Sequence, residues 1–203
     1  MIDIKSKKLI IFDCDGVLFE SAAANRAYFN KCLDLAGIER VPETMIHEVE
    51  YMSVKQLIDM FIKDKDKADK ILALTMTVPY DQFISEIKPN FDFDEILLQL
   101  KEKFYLAVAT NRGRSIDSLF HYFDLYRYFH FKISTLNARS KPDPEMIYKC
   151  LDYFYLEKDE AFFIGDSESD CNCAKNAGID FFWFGKDKPA PAIKSGIELL
   201  KFL

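Results

Sequence analysis

Two aspartates one residue apart, Asp13 and Asp15, follow the apolar run Leu9-Ile10-Ile11-Phe12 and precede Gly16. While the chain is extended, side chains at i and i+2 share a face, so these carboxylates repel one another. A divalent cation between them removes the repulsion, and oxygen donors of this kind suit magnesium. The plainer reading is that they open a polar loop, and a motif this short does not decide the matter. Three further clusters do. Thr110-Asn111 ends the apolar run Phe104 to Ala109, and Lys141 lies in Lys141-Pro142-Asp143-Pro144. Asp166 and Asp170 follow Ala161-Phe162-Phe163-Ile164 and Gly165. Acids that hold a cation, beside a hydroxyl, backbone N–H groups and a lysine that hold an anion, describe a phosphate site.

Each cluster needs an element behind it. Leu9 to Phe12, Phe104 to Ala109, Phe129 to Ile133, Ala161 to Ile164 and Ile179 to Phe184 are short, largely apolar runs. That is the pattern of strands buried on both faces. Helical patterns separate the later ones: Asp94 to Lys101, Ser115 to Phe123, Glu145 to Phe154 behind Pro144, and Cys171 to Ala177 ahead of Gly178. The alternation predicts an α/β fold with a Rossmann-like parallel-sheet core, whose ligands sit at the carboxyl ends of the strands. All the polar clusters lie there or in a loop that enters a helix.

Residues 18–89 follow another grammar. Ser21 to Ala36 with Gly37 behind it, Val54-Leu57-Ile58-Phe61-Ile62, Ile71-Leu72-Leu74-Met76 and Phe83-Ile84-Ile87 are helical patterns with no strand between them. The expected organisation is a core of residues 1–17 and 90–203 with a small α-helical insert at 18–89. The tail, Ala190 to Phe202, is expected to be helical.

Composition narrows the partners. A chain of 203 residues, 49% of them hydrophobic, can bury a substantial core. Its net charge of -6 speaks against nucleic acid or an anionic membrane as partner, so positive groups for an anion must be gathered locally. No run approaches the ~20 apolar residues of a membrane span, and the run after Lys8 is too short for a signal peptide. The odd count of five cysteines suggests no disulfide framework, and a reducing, cytoplasmic setting is expected. Alternation points Cys14 away from Asp13 and Asp15. No cysteine has an arginine six residues on, the spacing of cysteine phosphatases. Cys14 therefore reads as core. Cys171 and Cys173 face different ways on a helix, which favours packing over zinc. His47, His121 and His130 match no strand-end loop.

In the content and order of these clusters the chain resembles the haloacid dehalogenase (HAD) superfamily, phosphatase branch. Asp13-Cys14-Asp15-Gly16-Val17-Leu18, Thr110, Lys141 and Gly165-Asp166-Ser167-Glu168-Ser169-Asp170 look like its four motifs. The insert stands where phosphoglycolate-phosphatase-like and β-phosphoglucomutase-like members carry a cap, although Pro89-Asn90-Phe91-Asp92 lacks their usual Pro-Gly turn. The resemblance implies a magnesium-dependent phosphatase acting on a small phosphorylated metabolite. Asp13 would be the nucleophile and Asp15 the general acid and base. Mg2+ would be held by Asp13, the Asp15 carbonyl and Asp166, with Asp170 as a further ligand or as support for one, and the phosphoryl group by Thr110, Asn111 and Lys141. An acid at position 15 points to phosphoryl transfer, because the family's dehalogenase branch carries none there. Arg26 and Lys55 stand where capped relatives carry leaving-group contacts, although each reads more readily as a surface charge, and Arg112, next to the phosphate loop, is readable either way. The expected assembly is a monomer or homodimer. A sugar phosphomutase or a phosphonatase using the same site, and a non-catalytic binding protein on the same scaffold, are the alternatives.

Overall fold

The computed structural model describes residues 4–41 and 54–203. In chain order its main elements are β1 (Leu9–Phe12), α1 (Ala22–Ala36), α2 (Val54–Phe61), α3 (Lys65–Thr77), α4 (Phe93–Lys101) and β2 (Tyr105–Thr110). They continue with α5 (Ser115–Tyr122), β3 (Phe131–Ser134), α6 (Glu145–Phe154), β4 (Ala161–Gly165), α7 (Glu168–Ala177), β5 (Asp180–Phe184) and β6 (Ala192–Ile193). By contact the chain forms two compact units, residues 1–20 with 89–203 and residues 21–88.

The larger unit is built on a six-stranded sheet in the order β3-β2-β1-β4-β5-β6, every pair parallel. Central β1 is wholly buried because both its faces are covered, as its unbroken apolar run requires. Ile11 and Phe163 face Met146, Ile147, Cys173 and Ala174 of α6 and α7. On Phe162, one residue out of phase, the ring packs edge-on against Phe104, Phe182 and Phe202. Fully burying a side chain of this size contributes roughly 1.5–3 kcal/mol, so these two layers hold the strands in register. That register sets Phe12 beside Val108 on one side and Ile164 on the other. The residues that follow these three therefore emerge together at one edge of the sheet.

In this unit the start of one helix and the tail differ most from expectation. Helix α7 begins at Glu168 rather than Cys171, because Ser167 and Asp170 form a reciprocal capping box. The tail is not one helix. Ala192–Ile193 joins the sheet beside β5, with the Trp183 N–H donating to Pro191 O at 3.0 Å and the Gly185 N–H to Ile193 O at 2.9 Å. Only Gly196–Phe202 then turns, as a 3₁₀ helix. The unsatisfied edge of β5 competes for this segment and wins.

In the smaller unit, Tyr28, Phe29, Cys32 and Leu33 of α1 pack with Leu57, Ile58 and Ile71. Gly37, at φ 71°, closes α1. Asp64 caps α3 by accepting from the Lys67 N–H at 3.1 Å. The face expected at Phe83-Ile84-Ile87 forms a 3₁₀ helix over Tyr80–Glu86 rather than an α-helix. Pro42, His47 and the stretch between them lie outside the described residues, as does the side chain of Lys55.

Candidate active site

Asp13 directly follows β1 and prolongs its ladder, its N–H donating to Ile164 O at 2.9 Å. The chain then folds back on itself: the N–H groups of Leu18 and Phe19 donate to Cys14 O at 3.0 and 3.1 Å. Gly16, at φ +81°, passes so close to Asp166 that a Cβ would sit 2.1 Å from Oδ2. No other residue type fits there, for conformation and for space. Gly165 meets the same limit against the Asp170 side chain, where a Cβ would lie 2.4 Å from that residue's Cβ.

These close approaches bring three carboxylates together. Oxygens of Asp13, Asp166 and Asp170, all buried, lie within 4.8 Å of one another. Lys141 reaches into them from the loop before α6, its ammonium 2.5 Å from Asp13 Oδ1 and 2.6 Å from Asp170 Oδ1, while donating to Ala109 O at 3.0 Å. Asp170 Oδ2 accepts from the Ser167 hydroxyl at 2.6 Å and the Ser167 N–H at 3.1 Å. Its Oδ1 is buried beside Lys141 without an aligned hydrogen-bond donor among the described residues. One lysine for three acids leaves negative charge in excess.

Burial first, and that excess after it, shift the protonation of these groups. Burial pushes Asp13 well above the usual carboxylate range; Lys141 opposes this, and the neighbouring aspartates add to it. Burial, and then Asp170, push Asp166 up to about 7. For Lys141 burial acts downward, yet the facing Asp13 and Asp170 hold it above its ordinary value, so it stays charged. Three buried oxygen ligands with unneutralised charge fit a hard divalent cation.

The other predicted residues divide by unit. Thr110 ends β2, buried, and Asn111 clasps the Lys141 backbone: Asn111 Nδ2 donates to Lys141 O at 3.2 Å, and the Lys141 N–H donates to Asn111 Oδ1 at 2.8 Å. Arg112 is buried, and its guanidinium forks onto Asp15. Arg26 is exposed on α1, and Lys55 lies in the first turn of α2. Both belong to the smaller unit. Cys14 is buried, and burial pushes its thiol well up, as for an inert core residue. Among the described residues no cysteine or histidine joins a metal-type cluster.

Two features escaped sequence reasoning. Lys188, in the loop after β5, donates to Asp166 O at 2.6 Å with its ammonium 5.6 Å from the Trp183 ring centroid. Nothing in Lys186-Asp187-Lys188 marks it beyond its place after a strand. The Ser167–Asp170 capping box was legible as Ser-x-x-Asp at a helix start.

Residues 10–184 match the haloacid dehalogenase-like hydrolase family, and the chain belongs to that family. A phosphoglycolate phosphatase of Aquifex aeolicus is 25% identical over 174 residues, covering 84% of this chain and 81% of the relative. One from Photorhabdus laumondii is 28% identical over 191 residues, covering 86% and 79%. Among solved structures, a HAD-superfamily hydrolase of subfamily IA from Geobacter sulfurreducens superposes with a TM-score of 0.80 at 27% identity, over 97% of this chain and 96% of that one. Strand order, the insert after β1 and the acidic cluster agree with that membership, and the protein is a hydrolase of this family. Among the described residues no helix is long and apolar enough to cross a membrane.

Proposed function

We propose that this hydrolase is a magnesium-dependent phosphatase of small phosphate monoesters, phosphoglycolate-phosphatase-like in substrate class, acting through an aspartyl-phosphate on Asp13. The observation that carries the reading is the placement of Asp13: a buried carboxylate 2.5 Å from the Lys141 ammonium and grouped with Asp166 and Asp170. An attacking oxygen beside a fixed cation is what transfer of a phosphoryl group needs.

In this reading an Asp13 oxygen attacks phosphorus as the bond to the leaving oxygen breaks, and a proton on Asp15 passes to the departing alkoxide. Asp15 then takes a proton from water, whose oxygen attacks phosphorus and releases Asp13 and inorganic phosphate. Thr110, the Asn111 backbone N–H and Lys141 hold the phosphoryl oxygens and stabilise the charge that develops there. Asp13, the Asp15 main-chain carbonyl and Asp166, with Asp170 beside them, would hold Mg2+, which when bound neutralises charge on the phosphoryl oxygens. Residues 1–17 and 90–203 are read as the chemical domain and 18–89 as a cap, with Arg26 and Lys55 its residues to test for substrate choice. A cytoplasmic monomer or homodimer completes the reading.

The test is phosphate release from a panel of small phosphomonoesters, with and without magnesium, for the native chain and Asp13→Asn. Magnesium-dependent turnover that falls by at least about 10³-fold in Asp13→Asn is expected, the scale for loss of a nucleophile. Turnover that survives the substitution would sink the aspartyl-phosphate route, and a native chain inert on every ester would sink the phosphatase reading.

A further inference from the structure

Arg112 is held at both ends. Its N–H donates to Thr110 Oγ1 at 3.1 Å, and its carbonyl accepts from the Thr135 N–H and hydroxyl at 3.3 and 3.0 Å. At the far end Nε donates to Asp15 Oδ2 at 2.7 Å, Nη2 to Asp15 Oδ1 at 2.6 Å and Nη1 to Ser115 Oγ at 3.2 Å. Its side chain is 5% exposed against 32% for that of Asp15, so the rigid partner is the arginine and the carboxylate is the group being placed. A surface salt bridge between two long, mobile side chains has no such asymmetry.

We infer that Arg112 is a positioning residue for Asp15, aiming its carboxyl group for both proton transfers of the proposed reaction; the inference rests on that reading. The planar fork fixes the carboxylate plane as well as its distance, which a lysine ammonium cannot do. When Asp15 carries the proton, one oxygen still accepts from Arg112 and the other presents its O–H to the leaving group. The fork also ties the turn after β1 to the loop after β2, so the acid and base is set by the loop that carries Asn111 directly behind Thr110.

The experiment is steady-state kinetics of the native chain, Arg112→Ala, Arg112→Lys, Asp15→Asn and the double variant Asp15→Asn/Arg112→Ala. The substrates are 2-phosphoglycolate, whose alkoxide needs a proton to leave, and 4-nitrophenyl phosphate, whose phenolate does not. Removing the aim of a general acid should lower kcat on the alkyl ester by about 10²-fold, with KM moved by less than about threefold. The aryl ester should lose far less in formation of the aspartyl-phosphate, read as a burst of nitrophenolate. Arg112→Lys should fail to restore the alkyl rate, and Arg112→Ala should add nothing in the Asp15→Asn background, because residues acting through one another are non-additive. A rise in KM at unchanged kcat, equal losses on both esters, or an additive loss in the double variant would overturn the positioning role. Any of these in a chain whose native form turns over and whose Asp13→Asn form does not leaves the phosphatase reading standing. A native chain that releases no phosphate overturns both.

Discussion

The two edges of one sheet treat a buried lysine differently. At the amino edge, Lys7 Nζ lies 2.5 Å from Asp180 Oδ2 and donates to Ala161 O at 3.1 Å. At the carboxyl edge, Lys141 Nζ is as close to Asp13 and nearly as close to Asp170, with Asp166 in the same cluster. The two lysine side chains are buried alike, 3% and 2% exposed. What differs is the count of acids. At Lys7 one cation meets one anion and the pair is neutral, which is all a fold requires. The carboxyl edge gathers more carboxylates than its lysine can neutralise and tolerates the repulsion, and an excess of that kind marks a site prepared for a further ligand.

Breaking each lysine should separate the two edges most sharply. Lys141→Met is expected to lower phosphate release by at least about 10²-fold, the scale for a group that stabilises developing charge. Lys7→Met should leave turnover within about twofold while costing roughly 1–2 kcal/mol in denaturant unfolding, since the half-exposed Asp180 keeps access to water. A Lys7→Met chain as inactive as Lys141→Met would erase the contrast.

The excess charge itself can be weighed next. Burial and then Asp170 push Asp166 from the ordinary 3.8 up to about 7 in the folded chain, so the folded state binds more protons across that window. Without metal, its contribution is therefore a penalty that grows as pH rises from about 4 to about 7. Asp166→Asn removes it and should raise the melting temperature of metal-free protein at pH 8 by about 3–6 °C. Added Mg2+ should then stabilise the native chain and leave the variant unmoved; equal stabilisation of both would place the cation elsewhere.

The smallest effect is expected at the amino edge, where His130 Nδ1 accepts from the Leu106 N–H at 3.1 Å. Desolvation, then Lys101, hold this imidazole below its ordinary 6.5. A folded value below the unfolded one means that protonation favours unfolding, so stability is lost as pH falls through the ordinary 6.5. Because His130 is largely exposed, the fall in melting temperature should be about 1–2 °C, and His130→Asn should flatten it. No difference between the two chains from pH 8 to pH 5 would remove His130 from the account.

Much of this is legible in the sequence. Strands Leu9–Phe12 and Ala161–Gly165 declare themselves because burial on both faces demands unbroken apolar residues, and the acids follow where that demand stops. The expected helical tail failed because local pattern carries no information about a vacant sheet edge, and Ala192–Ile193 answers to β5 rather than to its own propensity. The start of α7 differs for another reason: local pattern makes Asp170 a loop acid, while the hydrogen bonds from Ser167 draw it into the first helical turn.

By itself the sequence determined the composition of the site: which residue types exist, and that each stands at the end of an apolar run. Short-range steric and hydrophobic constraints suffice for that, since they act along the chain. Only the tertiary structure decided which groups neutralise which. Arg112 and Asp15 are 97 residues apart in the chain, and Lys141 and Asp13 are 128 apart. Charge interactions fall off with distance through space and take no account of separation along the chain, so only the register of the parallel strands could make these groups partners.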